Sequence, residues 1–321
     1  MDTTRRHVLH PERPHVVESR HLGHVVVVNP AGSTVLALGD PGRLTFVRSA
    51  AKPFQTTACL EALADNGVDL PPPDEVAVSW ASHRGEPLQL ATVARLLARS
   101  GRDASQLTCP SARPASDPGS VRRRLHHNCS GKHALFALAG DAVGCPPGRL
   151  LDPTAPLQKR VLGVLEAALG PAQAVSVDGC GAPTAAVPLE AIARAFAGLA
   201  THERWAHARA AGHAHPGLVG GRRRLESVLL ARGLVAKPGA QGVFGVGWSD
   251  RDGGGWGLAV RAEDGDPVAS ATAVAGLLTA AGLLAVDAWA PPPVLGGGRP
   301  VGSWRPATEL VEAASVLRGE G

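Results

Sequence analysis

The chain has no tyrosine, one isoleucine and only four lysines (Lys52, Lys132, Lys159 and Lys237), against 28 arginines. This composition is typical of a genome with a strong bias towards GC-rich codons. Under such a bias a lysine persists mainly where arginine cannot replace it, because arginine stays protonated whereas a buried lysine can lose its proton. Three of the four lysines lie in motifs rich in polar or reactive side chains. With so few lysines, chance retention is the alternative.

Long apolar runs and a signal sequence are also missing. No stretch of about 18 apolar residues predicts a transmembrane helix, and the two arginines near the N-terminus precede no apolar segment of the kind found in signal peptides. Hydrophobic residues make up 44% of the 321 residues and charged residues 19%, so a sizeable core can form. We expect a soluble cytoplasmic protein with a single domain over residues 1–321.

The net charge limits the classes of binding partner, and the number of cysteines limits the roles of the thiols. The net charge is +4 and the charges are spread apart from two arginine triplets, so no nucleic-acid partner is expected. An odd number of cysteines in a cytosolic chain argues against a disulfide framework and for buried thiols, catalysis or a metal. The five are Cys59, Cys109, Cys129, Cys145 and Cys180.

The hydrophobic pattern predicts hairpins at both chain ends and helices between them. Strands are predicted over residues 24–28, 34–38, 242–248 and 257–262. Helices are predicted over residues 53–66, 87–100, 156–169, 188–199, 222–232 and 270–284. This order predicts an α/β (α+β) fold with one antiparallel sheet, built from both chain ends and flanked by helices. No glycine-rich run has the strand–GxGxxG–helix context of a dinucleotide site.

The first motif with catalytic potential is RSAAKPFQ at residues 48–55. It contains S-x-x-K at the start of a predicted helix, so Ser49 and Lys52 share a face. A neutral lysine amine there can take the serine proton, and the helix N-terminus favours the developing negative charge, as in S-x-x-K acyl enzymes. Pro53 marks a helix start but biases Lys52 away from helical dihedral angles. An ordinary helix cap is the alternative.

The second motif, SWASHRGE at residues 79–86, follows an apolar run at 76–78 that is typical of a strand and precedes a predicted helix. Its serine, Ser82, is a second serine that could lie beside the first lysine and relay a proton or hold the substrate. The alternative is an N-cap followed by an acidic first turn.

Cysteine, lysine and histidine are concentrated in two further motifs. LHHNCSGKH at residues 125–133 leads directly into an apolar run, and DGCGAPT at 178–184 follows the apolar run 174–177. The second fits a tight loop at a strand end that presents Asp178 and Cys180. Two thiolates and a third donor could bind zinc and leave the fourth position open for water. The spacing is not that of a zinc finger, and buried inert thiols are the alternative.

In this order the four motifs resemble the asparaginase II family, the rhizobial-type thermolabile L-asparaginases. The segments HP at 215–216, VGG at 219–221 and LVAKPGAQGV at 234–243 extend the resemblance, which covers residues 20–290. No single motif is specific to this family, whereas the whole set of motifs is.

The resemblance implies a hydrolase that releases ammonia from L-asparagine, a fold like serine β-lactamases and serine-dependent glutaminases, a homodimer and a nearby zinc ion. The matching motifs imply that Ser49 is the nucleophile and Lys52 its base. They also imply that Ser82 is the second serine and that it pairs with the residue at position 261. The implied zinc ligands are Cys129, Lys132 and Cys180. The implied substrate-binding or orienting residues are Arg48, Asp178, His133 and Glu86.

Three positions depart from the family pattern. This chain has Arg261 where lysine is usual, Gln241 where glutamate is usual and His127 where asparagine is common. Because arginine cannot act as a base, two interpretations of Arg261 remain. Either Arg261 binds the substrate carboxylate, or the chain is a catalytically impaired zinc-binding homologue.

Two other classes of function compete with the asparaginase. A serine–lysine amidase or β-lactamase-like hydrolase of another substrate would need a K-T-G-type strand. The nearest candidate is KPG at 237–239, where Pro238 removes a backbone donor. A non-enzymatic zinc or nucleic-acid protein would need a basic face, which the scattered arginines do not clearly supply. We therefore expect a small-molecule amide substrate and neither a nucleic-acid nor a membrane partner.

Overall fold

The computed structural model describes residues 6–13 and 16–317. Within them the chain divides into two compact units. The first comprises the residues up to Ala50, Val187–Thr201 and those from Ala236 onward, and the second comprises Ala51–Ala186 and His202–Val235. The single domain expected over residues 1–321 stays a prediction.

The described strands are β1 (Arg6–Arg13), β2 (Val16–Val17), β3 (His21–Val28), β4 (Thr34–Leu38), β5 (Leu44–Phe46), β6 (Ala174–Val177), β7 (Pro183–Pro188), β8 (Val235–Pro238), β9 (Val243–Ser249), β10 (Gly255–Ala262), β11 (Val294–Gly296) and β12 (Arg299–Pro306). The described α-helices are α1 (Lys52–Asp65), α2 (Pro73–Ser79), α3 (Pro87–Ala98), α4 (Ser130–Ala142), α5 (Pro156–Leu169), α6 (Leu189–Thr201), α7 (Ala206–Ala214), α8 (Pro216–Gly220), α9 (Leu225–Leu230), α10 (Pro267–Ala280) and α11 (Thr308–Ala313).

The first unit is built on a sheet with the strand order β11-β12-β1-β3-β10-β9-β8. The pairs β1–β12, β1–β3, β3–β10 and β9–β10 are antiparallel, and β4 forms a hairpin with β3. Strands from both chain ends therefore lie side by side, which confirms the α+β class and the predicted antiparallel sheet. The serine β-lactamase-like form of this fold stays a prediction.

Helices cover this sheet. Val25 to Val28 in β3 are all at most 1% exposed. Since successive side chains of a strand point to opposite faces, both faces are covered there. Helix α6 packs against β9 and β10, and α10 packs against β10, β1 and β12. A Cβ at Gly257 of β10 would lie 1.9 Å from the carbonyl oxygen of Ala193, so glycine permits the close approach of α6.

The second unit is largely helical, with the antiparallel hairpin β6–β7. Helix α1 packs against α4 and α5, and α2 packs against α3, α4 and α7. A Cβ at Gly131 of α4 would lie 2.2 Å from the carbonyl oxygen of Val78 in α2. The start of α4 therefore touches the end of α2, and the loop after α2 lies beside the loop before α4.

Most predicted elements are confirmed. Helices α1, α3, α5 and α6 lie within two residues of their predicted ends, and the four predicted strands correspond to β3, β4, β9 and β10. Helix α10 begins and ends earlier than predicted, and α9 is shorter. The strand character expected of residues 76–78 is wrong, since they belong to α2. A proline at the helix start and two acidic residues in the first turn stabilise that helix.

Among the residues that the structure describes, every helix is too short or too polar to cross a lipid bilayer.

Candidate functional site

The S-x-x-K motif forms a continuous helical stretch. A 3-10 turn over Arg48–Ala51 runs directly into α1, and Pro53 occupies the first turn of that helix. Ser49 is 8% exposed and Lys52 is fully buried. Arg48 has a φ angle of 51°, in the left-handed region that is unfavourable for a side chain with a Cβ. The serine thus follows a strained backbone position, a feature that often accompanies functional sites.

The amine of Lys52 is surrounded by oxygen atoms of the second unit. It donates hydrogen bonds to the carbonyl oxygen of Ala81 at 2.5 Å, to Ser82 Oγ at 3.2 Å and to the carbonyl oxygen of Asn128 at 3.5 Å. The three acceptors match the three hydrogens of an ammonium group. This lysine is therefore provided with partners in its protonated form, although it lies in the interior.

The acceptors come from the two loops that the contact between α2 and α4 brings together. Ala81 and Ser82 follow α2, and Asn128 precedes α4. The backbone N–H of His83 donates to the carbonyl oxygen of Asn128 at 3.2 Å, and the His83 ring lies 2.7 Å from Ser130 Oγ. Backbone and side chain of one residue thus tie the Ser82 loop to the start of α4.

A second buried group in the same unit contains two thiols and a lysine. Lys132 Nζ lies 3.1 Å from Cys180 Sγ, and Cys129 and Cys180 are close enough for each thiol to shift the pKa of the other. None of the three side chains is more than 3% exposed. The predicted metal-binding residues are therefore close together, although Cys180 comes from the loop after β6 and the other two from the start of α4.

The three side chains shift one another's pKa values. The hydrogen bond from Cys180, together with Lys52, His127 and Lys132, holds the pKa of Cys129 well below its ordinary value. The same hydrogen bond and burial raise the pKa of Cys180. Burial alone would lower the pKa of Lys132, but the two cysteines raise it. These shifts favour a thiolate at Cys129 and a protonated amine at Lys132.

Two of the predicted substrate residues border the thiol group. Asp178 Oδ2 lies 3.8 Å from Cys180 Sγ, and its Oδ1 accepts from the N–H of Gly179 at 2.8 Å. His133 follows Lys132 and is 1% exposed. Its Nδ1 lies 2.6 Å from Thr108 Oγ1. Its buried Nε2 has no hydrogen-bond partner among the residues that the structure describes.

The remaining predicted residues have other surroundings. Glu86 is the N-cap of α3, its N–H donates to Gln89 Oε1, and its own Oε1 accepts from the N–H of Arg222 at 3.3 Å. In the first unit, Arg261 donates to the backbone carbonyls of Gln241 and Ala262. Burial lowers the pKa of Arg261. Glu86 is thus itself the cap of α3, whose first turn contains no acidic residue.

A comparison with protein families settles the relationship of the chain. The model of the L-asparaginase II family matches residues 9–306. The protein belongs to the L-asparaginase II family. A search of curated proteins found no match. Membership of an asparaginase family makes the chain an asparaginase-type amidohydrolase and implies an amide substrate.

The motifs also contain residues that lie close to Lys52 in the structure but to which the motif patterns assign no role. His83 and Ser130 each lie one position from a residue that the family resemblance singles out, yet no spacing rule connects them. The carbonyl groups of Ala81 and Asn128 are invisible to motif reasoning, because every residue has one. The available signal was the concentration of polar side chains in SWASHRGE and LHHNCSGKH.

Proposed function

We propose that this L-asparaginase II family member hydrolyses L-asparagine to L-aspartate and ammonia at a serine–lysine centre. One observation carries the proposal. Lys52, three residues after Ser49, is fully buried and places its amine against the hydroxyl of Ser82. A lysine in the interior can give up and take back a proton, which arginine in its place would not do.

The proposed reaction has two halves. Ser49 Oγ attacks the side-chain amide carbon, its proton passes to Lys52 and then to the departing nitrogen, and ammonia leaves. Water then attacks the resulting ester, the acid is released and Ser49 regains its proton. The carbonyl groups of Ala81 and Asn128 stabilise the ammonium form of Lys52 during each proton transfer.

Ser82 and Arg261 are proposed as supporting groups. The contact of Ser82 with the Lys52 amine supports a role in relaying the proton or holding the substrate. For Arg261 we favour binding of the substrate carboxylate, because a guanidinium forms bidentate pairs with carboxylates. Its retained charge excludes the role of base. Arg48, Asp178, His133 and Glu86 remain proposed substrate-binding or orienting residues, carried by the family motifs.

We also propose that Cys129, Lys132 and Cys180 hold a zinc ion. The two thiols are ligands that zinc prefers, and the three side chains leave a fourth position open. A lysine amine is an unusual zinc ligand, and Lys132 would have to lose its proton to bind. The short distance from Lys132 to Cys180 and the thiolate character of Cys129 support this site. When bound, zinc would supply Lewis-acid polarisation of an oxygen atom.

A homodimer and a serine β-lactamase-like fold are proposed on the family resemblance alone, and a cytoplasmic location on the sequence features described above. Light scattering of the purified protein tests the first.

Parallel assays with L-asparagine, L-glutamine and a chromogenic β-lactam test the function. Ammonia release from asparagine, with much weaker release from glutamine and no β-lactam hydrolysis, is the expected result. Hydrolysis of the β-lactam but not of asparagine would favour the other serine–lysine hydrolases. A folded, zinc-loaded protein that turns over none of the three would be an impaired homologue.

A further inference from the structure

The hydrogen bonds of His83 define a single protonation state. Its ring is buried, and the N–H of Gly85 donates to Nδ1 at 3.1 Å, so Nδ1 carries a lone pair. Nε2 lies 2.7 Å from Ser130 Oγ, whose own hydrogen is donated to the carbonyl oxygen of Leu125 at 2.8 Å. The hydrogen between His83 and Ser130 therefore belongs to Nε2. The ring is a neutral imidazole with one tautomer.

This ring connects the two loops that surround Lys52. On one side, His83 directly follows Ser82, and Ala81 precedes it. On the other, the His83 N–H donates to the Asn128 carbonyl that also accepts from Lys52, and the ring donates to Ser130 two residues further on. If the contact between the His83 ring and Ser130 is lost, the backbone N–H of His83 is the one hydrogen bond by which this residue still connects the two loops.

We propose that His83, through Ser130, is a positioning residue that holds the Ser82 hydroxyl and the Ala81 and Asn128 carbonyls around the Lys52 amine. The effect of His83 on catalysis rests on the proposed function, whereas its effect on the position of these groups does not. His83 touches neither the amide carbon nor the leaving group in this scheme. A charged imidazole would break the contact from Gly85 and would place a second positive charge near Lys52. Burial and Lys52 lower the pKa of His83 to about 3, which agrees with a neutral ring.

Two pairs of variants separate positioning from packing. His83→Asn offers an oxygen to the N–H of Gly85 but is too short to reach Ser130, whereas His83→Gln places an amide N–H near the position of Nε2. Ser130→Ala removes the acceptor, and Ser130→Thr retains a hydroxyl. We expect His83→Asn and Ser130→Ala to lower kcat by about tenfold to a hundredfold with KM changed less than about threefold. His83→Gln and Ser130→Thr should recover most of the loss.

A second measurement does not depend on turnover. With only four lysines in the chain, lysine labelled with ¹³C at Cε gives four signals, and Lys52→Met identifies the one from Lys52. His83→Asn and Ser130→Ala should shift this signal and leave that of the exposed Lys159 in place, whereas His83→Gln should leave both near their wild-type positions.

The outcomes distinguish the two proposals. If the wild-type protein releases no ammonia, the proposed function fails, and the Lys52 signal alone decides the role of His83. An unmoved Lys52 signal in both His83→Asn and Ser130→Ala would overturn the positioning role. Equal losses of kcat in His83→Asn and His83→Gln would also overturn it, because the donor to Ser130 would then be irrelevant. If His83→Asn does not fold, Ser130→Ala and Ser130→Thr carry the same test.

Discussion

The Lys52 amine lies 3.2 Å from the Ser82 hydroxyl, although the two residues are 30 positions apart in the sequence. Any proton that Lys52 takes from Ser49 therefore has the Ser82 hydroxyl beside it. In the proposed scheme this contact lets Ser82 relay that proton, whatever side chain occupies position 261.

Ser49→Ala should abolish asparagine hydrolysis without unfolding the protein, because the attacking oxygen is lost and a missing nucleophile typically costs several orders of magnitude in rate. Ammonia release and circular dichroism give the two readouts, with the exposed Ser303→Ala as control. Retention of more than about a tenth of the activity, a loss below about 1.4 kcal/mol, would place the nucleophile elsewhere.

Lys52→Arg should be nearly as damaging as Ser49→Ala, because arginine stays protonated and cannot act as a neutral base. Lys159→Arg is the matched control, since Lys159 lies exposed on α5. We expect wild-type kcat/KM in the control. Comparable activity in both variants would exclude Lys52 as the base.

Cys129→Ser and Cys180→Ser should each lose the zinc, expected at about one per chain from a single site with these ligands. Elemental analysis of the purified variants measures this. Cys145→Ser is the control, because Cys145 is also buried and its sulfur donates to the carbonyl oxygen of Pro146. Unchanged zinc content in the first two variants would make both thiols structural.

Arg261→Lys should chiefly raise KM, since it replaces a planar, bidentate group with a point charge at the proposed carboxylate contact. Steady-state kinetics over a range of asparagine concentrations separate KM from kcat. A tenfold rise in kcat, about 1.4 kcal/mol off the barrier, would instead show that the natural arginine is a defect. If Arg261→Ala changes neither parameter, the residue is outside the site.

Stability should fall on acidification partly because of His83. Its pKa is about 3 in the folded chain and about 6.5 when exposed, so between these values the unfolded chain binds a proton that the folded chain does not. Above about pH 6.5 His83 does not affect the free energy of unfolding. Below that pH it lowers the free energy of unfolding by up to about 1.4 kcal/mol for each pH unit of acidification.

Urea unfolding at pH 7.5, 6 and 5 measures this effect. In His83→Gln the dependence on pH between 6 and 5 should be weaker than in the wild type by about 1 kcal/mol per unit. The exposed His207→Gln should keep the wild-type slope. Equal slopes in all three proteins would mean that His83 is protonated normally in the folded state.

The sequence predicted those features that depend on local pattern. The apolar runs in β3 and β10, the proline at the start of α1 and the glycines that bracket Cys180 each determine the conformation of a short segment, and each of these segments has the predicted conformation. The set of reactive motifs also identified the family.

The structure supplies what local pattern cannot. Strand β1 contains Pro11 and several charged residues, and it forms because β3 and β12 lie on either side of it. The apolar run 76–78 suits a strand and a helix equally, and packing of α2 against α4 decides between them. The partners of Lys52 are mostly backbone oxygens, which no residue pattern can reveal.

Gly131 has a consequence for how this protein can evolve. Any side chain there would strike the carbonyl oxygen of Val78, since even a Cβ would lie 2.2 Å from it. Separation of α4 from α2 would move Asn128 and Ser130 away from the Ser82 loop. One base change turns any glycine codon into an alanine codon. This mild and frequent substitution should be removed by selection at position 131, whereas the exposed Gly163 on α5, with open space around it, is free to accept it.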